Sequence, residues 1–131
     1  MANYNELLVS ASDAEALALL VGDRRRTNAL EVDAADALAD LLISARMVPH
    51  ERLPLDRVAM NSRVTYRTEP DGESRVVILV HPHEADPSLG RISVLSPVGR
   101  ALLGRTPGAV IRTGLPGGRE RTIHVLGAER R

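Results

Sequence analysis

The chain has 131 residues, 44% of them hydrophobic, and carries 17 arginines against 17 acids for a formal net charge of zero. That length supports one compact core with an appendage, but not two large domains. The absence of cysteine excludes a disulfide framework, a thiolate metal site and a cysteine nucleophile, and an aromatic content of 2%, supplied by Tyr4 and Tyr66, excludes a stacking platform for single-stranded nucleic acid. No apolar run approaches the roughly 18 residues that span a bilayer, and the start, MANYNELLVSASDAE, lacks the basic, apolar and small-residue zones of a signal peptide. A soluble, cytoplasmic protein without membrane contact is expected.

The halves differ in charge. Residues 1–56 hold 5 arginines and 10 acids, and residues 57–131 hold 12 arginines and 7 acids. Two regions with different surfaces follow, and the boundary is placed near residue 50. Arginine is the sole basic residue apart from histidine. It keeps its charge when partly desolvated and grips carboxylates or phosphates with two donors.

The acidic region, 1–50, reads as a short antiparallel helical hairpin. Ser12-Asp13-Ala14-Glu15 has the form of a capping box, and Leu17, Leu20 and Val21 form an apolar stripe ended by Gly22, giving a helix over about 13–21. A second helix is predicted over about 28–46, its face formed by Leu30, Ala34, Leu38, Leu41, Leu42 and Ala45, with Met47-Val48-Pro49 closing it. Helices of about 14 Å and about 28 Å make a stubby hairpin. Its tip is Gly22-Asp23-Arg24-Arg25-Arg26-Thr27-Asn28.

The basic region, 51–131, reads as five strands and one inserted helix. Val58, Met60, Ser62, Val64 and Tyr66 alternate with polar neighbours up to a turn at Glu69-Pro70-Asp71-Gly72. Residues 75–81 carry a continuous apolar run, Val76 to Val80, as in a strand covered on both faces. A polar loop from Pro82 to Gly90 precedes a strand at 92–95, and strands at 109–115 and 120–126 flank the turn Pro116-Gly117-Gly118. Short hairpins of this kind predict a curved antiparallel sheet, and the fold class is α+β. Between strands, SVLSPVGRALLG places Ser96 as N-cap, Pro97 at the first helical position, Ala101, Leu102 and Leu103 as a buried stripe and Gly104 as a left-handed stop.

ISVLSPVGRALLGRTPGAVIRTGLPGGRERTIHVLGAE, residues 92–129, resembles the C-terminal domain of the bacterial Gre transcript-cleavage factors: strand, Ser-Pro, an Ala-Leu-rich helix ending in Gly, a hydrophilic turn, strand, Pro-Gly-Gly, strand. MNSRVTYRTEPDGESRVVILVHP, residues 60–82, resembles more narrowly the Rnk-type branch of that superfamily, regulators of nucleoside diphosphate kinase. The resemblance implies an FKBP-like domain and a partner, bacterial RNA polymerase, held at the rim of its secondary channel. In Gre factors the polymerase contact includes the Ser-Pro and the acidic or amide residue before it. Here Ser96 and Pro97 match, and Leu95 replaces the polar group, so a contact there is made by packing.

Gre chemistry resides at the tip of a long coiled coil, where two neighbouring carboxylates help hold a magnesium ion. A magnesium site needs converging oxygens. The tip here offers Asp23 beside Arg24, Arg25 and Arg26, whose charges oppose a cation. Glu31, Asp33, Asp36 and Asp40 on the second helix read as a solvated face. Neither transcript cleavage, a metal nor a cofactor is expected. His81-Pro82-His83-Glu84 lacks a specified third metal ligand, and Gly114 to Gly118 is a hairpin turn rather than a phosphate cradle. A prolyl isomerase would need an aromatic pocket that this composition does not supply; fold does not confer function.

Two functions stand at this point. One is a non-catalytic transcription regulator that docks on RNA polymerase through Leu95-Ser96-Pro97 and modulates elongation or competes with longer channel-binding factors, its tip arginines meeting acidic polymerase surface or nucleic acid. The other is a nucleic-acid-binding module using the arginines of the second half, with steeply salt-dependent affinity for DNA or RNA. Those arginines are scattered along every strand, which places it second. Exposed edge strands leave the oligomeric state open.

Overall fold

The computed structural model describes residues 6–23, 25, 26, 28–69, 72–115 and 119–130. Its first element is absent from the sequence-based expectation: Leu8–Ser10 forms a strand, β1, that pairs in parallel with Arg46–Val48, β2. Three residues apiece carry too little periodicity to read as strands. The Leu8 N–H donates to the Gly104 carbonyl (3.2 Å) and the Arg46 N–H to the Leu7 carbonyl (2.8 Å), so β1 is tied to both halves of the chain.

The first helix, α1, spans Ala11–Val21, and its N-cap is Ser10 rather than Ser12: the Ser10 Oγ accepts from the Asp13 N–H at 3.1 Å. Strand pairing of β1 holds Ser10 in the extended backbone that a cap requires (φ −68°, ψ 147°). Asp13 then reaches the second half of the chain, where its Oδ2 accepts from the Met60 N–H (3.1 Å). The second helix, α2, spans Ala29–Ser44 under an Asn28 cap whose Oδ1 accepts from the Leu30 N–H (2.8 Å). Leu38 and Leu42 of its expected face are buried, but Leu30 is 74% exposed, and Ala35 takes an inward position instead. Leu30 lies in the first turn of α2, beside the hairpin tip, so its place in the periodicity buries nothing. Helices of 11 and 16 residues extend about 16 Å and about 24 Å.

Beyond residue 50 the chain builds, among the described residues, a five-stranded sheet in the order β5-β4-β3-β7-β6. Its strands are β3 (Arg63–Glu69), β4 (Ser74–Val80), β5 (Arg91–Ser93), β6 (Val110–Leu115) and β7 (Arg119–Glu129), with a short helix, α3 (Pro97–Leu102), between β5 and β6. The α+β class therefore holds: two N-terminal helices precede a curled sheet with one inserted α-helix. The sheet is mixed rather than wholly antiparallel, because β4 and β5 run parallel with Ile78, Leu79 and Val80 opposite Arg91, Ile92 and Ser93. Two successive 3-10 turns, Pro82–Glu84 and Pro87–Leu89, carry the chain back alongside β4 before β5 begins. Each starts on a proline, and Gly90 ends the second in left-handed backbone (φ 68°).

Further departures have local causes. The alternation from Val58 correctly marks buried residues, but the strand starts only at Arg63, because Asn61 adopts a left-handed backbone (φ 69°) and the Ser62 Oγ accepts from the Ala59 N–H (2.8 Å). The apolar run of β4 is covered unevenly: Val77 and Leu79 are buried on one face and Val80 on the other, whereas Val76, on the face of Val80, is 56% exposed. A register shift between Thr65 and Tyr66 against β7 marks a bulge, which increases the local twist of the sheet. Pro70 and Asp71 of the first expected turn, and Pro116 to Gly118 of the second, lie outside the described residues.

The hairpin and the sheet share a core. Leu17, Leu38 and Leu42 join Val64, Leu79, Leu102 and Ile123 in one buried cluster. Arg57 adds a polar tie, its Nη1 donating to the carbonyls of Glu6 (2.8 Å) and Gly104 (3.0 Å). No helix among the described residues is long and apolar enough to cross a membrane.

Candidate functional site

The stretch Leu95-Ser96-Pro97 forms the turn from β5 into α3. Ser96 has the extended backbone of an N-cap (φ −68°, ψ 155°), and its Oγ accepts from the Gly99 N–H (3.0 Å) while donating to the Ser93 carbonyl (2.7 Å). The hydroxyl is thus engaged in both directions, and one lone pair remains for a partner. Pro97 occupies the first helical position, where its missing N–H leaves nothing unsatisfied. Leu95 is half-buried against the core, its N–H donating to the Ser93 Oγ (3.0 Å). The Arg100 Nη1 donates to the Leu95 carbonyl. Burial pushes the Arg100 guanidinium below its usual value, which still leaves it charged at neutral pH.

Gly99 is the residue that sequence reasoning missed. A Cβ there would lie 2.1 Å from the Ser93 carbonyl oxygen and 2.9 Å from its carbon. The end of β5 is therefore pressed directly onto the first turn of α3. The signal available in the sequence was a glycine at the third helical position, where helix propensity alone disfavours it. The other end matches expectation: Ala101, Leu102 and Leu103 are buried, and Gly104 takes φ 78°.

At the hairpin tip the described residues Asp23, Arg25 and Arg26 are committed to one another and to α1; Arg24 lies outside the described residues. The Arg25 guanidinium grips the Asp23 carboxylate with Nε at 3.0 Å and Nη2 at 2.9 Å, and the Arg25 N–H donates to the same group (3.0 Å). These hydrogen bonds from Arg25 hold the Asp23 carboxyl well below the usual carboxylate range. The Arg26 Nη1 donates to the carbonyls of Leu20 (2.7 Å) and Asp23 (3.2 Å), closing the C-terminal end of α1. This arrangement does not fit a magnesium ion, since its one carboxylate already serves a guanidinium and a second cation faces the same turn.

The remaining candidates do not assemble a metal site. The His81 and His83 rings stack with centroids 6.1 Å apart, and the His83 Nε2 lies 3.9 Å from a Glu84 oxygen. Among the described residues no group of three or more His, Asp or Glu side chains converges to hold a metal ion. Glu31, Asp33, Asp36 and Asp40 are all exposed on α2.

A curled sheet whose Ser-Pro-initiated helix is clamped to a strand end, packed with a short two-helix hairpin, defines an α+β architecture with one shared core. The family model for the C-terminal domain of the transcription elongation factors GreA/GreB matches residues 53–130, and the chain belongs to this family of transcription factors. It is 46% identical over 95 residues to the regulator of nucleoside diphosphate kinase of Escherichia coli (strain K12), covering 72% of this chain and 70% of that protein. It is 37% identical over 90 residues to transcription elongation factor GreA of Brucella anthropi, covering 69% of this chain and 57% of that protein. The solved structure of a prokaryotic transcription elongation factor GreA/GreB from Nitrosomonas europaea superposes with a TM-score of 0.72 at 33% identity, over 95% of this chain and 98% of that one.

Proposed function

We propose that the chain is a non-catalytic regulator of bacterial transcription that docks on RNA polymerase at the rim of the secondary channel through Leu95, Ser96 and Pro97, with the 51–131 region as docking domain and the 1–50 hairpin as a short arm at the channel mouth. The observation that carries this is the β5–α3 turn. It is half-exposed, and it is held in one geometry by the Ser96 bonds to Ser93 and Gly99. A surface fixed before binding loses little freedom on association. Leu95 supplies apolar packing area, the Pro97 ring a rigid edge and the Ser96 oxygen one remaining acceptor site.

The arm is expected to modulate elongation or exclude longer channel-binding factors rather than to promote cleavage. Its inner face is buried in the shared core, and the Asp23 carboxylate is held by Arg25. Direct nucleic-acid binding stands behind this function. Acids sit among the sheet arginines, with Glu69 near Arg67 (3.7 Å) and Glu73 near Arg75 (3.9 Å).

The test is equilibrium binding of the full chain to bacterial core RNA polymerase, beside the double variant Ser96→Asp with Pro97→Ala. Aspartate is a good N-cap and alanine a good helix former, so the variant keeps the start of α3 while giving up the Ser96 hydroxyl's bond to the Ser93 carbonyl. Saturable wild-type binding that drops by about tenfold or more in the folded variant is expected, as for a truncated central contact. Equal binding by both would remove the turn from the interface. Tight wild-type binding to naked DNA or RNA at physiological salt would favour the nucleic-acid function.

A further inference from the structure

Between Asp86 and Glu120 the sequence carries five arginines, at positions 91, 100, 105, 112 and 119, and not one acid. The docking turn lies within this stretch, so its own segment supplies no carboxylate to offset the positive charge. The fold does not bring one from elsewhere. The ion pairs of the described arginines belong to Arg25, Arg46, Arg67 and Arg75, and none joins Arg91, Arg100, Arg105 or Arg112 to a described carboxylate. The acids of α2, the helix that α3 touches, are exposed and make no ion pair with α3.

Arg100 is the member of this set that the structure holds against the docking turn. Its backbone belongs to α3, yet its Nη1 reaches back to donate to the carbonyl of Leu95, the residue immediately before Ser96. The residue is half-buried. One donor is thus used to place the guanidinium, while Nε and Nη2 carry no hydrogen bond among the described residues and are not closed off from solvent. Those two nitrogens form a fork that matches both oxygens of a carboxylate. Because the bond to Leu95 fixes the fork beforehand, little further ordering is needed on binding. The described tip arginines offer no such group, since Arg25 is bound to Asp23 and Arg26 to the end of α1.

We propose that Arg100 is the charged anchor of the docking surface and grips one carboxylate, an aspartate or glutamate of the polymerase, beside the apolar contact of Leu95 and Pro97. The inference rests on the polymerase-binding function above and adds the chemistry of the partner surface: an acidic residue next to an apolar patch. Leu95 and Pro97 favour a protein carboxylate over a nucleic-acid phosphate, because a phosphate backbone gives them nothing apolar to pack on.

The test is binding of the full-length chain to core RNA polymerase at about 50 mM and about 300 mM salt, with wild type beside Arg100→Lys, Arg100→Gln and Arg100→Glu, folding verified by circular dichroism. At the lower salt the expected losses are within about threefold for Arg100→Lys, about tenfold for Arg100→Gln and about thirtyfold or more for Arg100→Glu, with a weaker salt dependence in Arg100→Gln than in wild type. A loss in Arg100→Gln with the salt dependence of wild type would mean that the arginine only supports the Leu95 carbonyl, and would overturn the carboxylate contact. Arg100→Glu binding within about twofold of wild type, while the Ser96→Asp, Pro97→Ala variant loses binding, would overturn the anchor and leave the docking turn standing. Wild-type binding to naked DNA or RNA that Arg100→Glu abolishes, with polymerase binding kept, would assign the guanidinium to phosphate instead. Absence of wild-type binding to polymerase would overturn both the anchor and the docking function.

Discussion

Replacing Gly99 by alanine lowers the melting temperature by about 10 °C, equivalent to about 3 kcal/mol in a chain of this size. The added Cβ would meet the Ser93 oxygen at 2.1 Å, the Ser93 carbon at 2.9 Å and the Ser96 Oγ at 3.0 Å. Two of these three atoms are backbone, so no rotamer change relieves the clash. Either β5 leaves its place beside β4 or the first turn of α3 moves away, and in both cases the Ser96–Ser93 bond at 2.7 Å is lost. Gly127→Ala is the control, because nothing lies within 4 Å of its added Cβ, and a change within about 2 °C is expected. Thermal unfolding followed by circular dichroism decides the matter. A Gly99→Ala protein as stable as wild type would show that α3 is not pressed against the strand end.

Leu38→Ala is the second large effect. Leu38 is fully buried on α2, in the cluster that also contains Val64, Leu79 and Ile123 of the sheet. Truncating a buried leucine costs about 2–5 kcal/mol through lost transfer energy and the cavity left behind. Because the cluster is continuous, the loss lowers the stability of the sheet as well as the hairpin. Helix melting in the far ultraviolet and disappearance of the Ile123 amide signal should shift together, in one transition displaced by about 10 °C. A hairpin that melts early while Ile123 keeps its wild-type midpoint would show that the two halves unfold independently.

How far the sequence revealed this architecture depended on the range of the signal. Helices α1 and α2 were legible from their apolar periodicity, though the cap of α1 lies at Ser10 and not Ser12. The α3 start at Ser96-Pro97 and its stop at Gly104 were legible because capping, proline placement and left-handed glycine act within a few residues. The burial of Val64 and Tyr66 was legible for a similar reason, since period-two alternation is local. The β1–β2 pair was not, because three-residue strands owe their existence to partners almost forty positions away. The parallel β4–β5 pair was hidden by a connection read as a polar loop; its two proline-initiated turns reverse the chain twice. Leu30 was misplaced because periodicity says which side of a helix a residue occupies, not whether anything lies opposite. The start of α3 was located through Ser96 and Pro97, whereas Gly99, which secures it, shows its role only once Ser93 is seen against it. At the tip, the opposition between arginines and a metal was readable, but the two-donor grip of Arg25 on Asp23 and the use of Arg26 to close α1 required coordinates.

The proposed function joins docking at the channel rim with the absence of chemistry, and both can be read in one reaction. Backtracked bacterial elongation complexes would be incubated with the full chain alone, with GreA alone, and with GreA plus increasing amounts of the chain, while shortened transcripts are counted. The expected result is no cleavage stimulated by the chain itself and a concentration-dependent suppression of GreA-stimulated cleavage that the Ser96→Asp, Pro97→Ala variant fails to produce. Cleavage stimulated by the chain alone, or GreA activity unchanged at saturating chain, would contradict it.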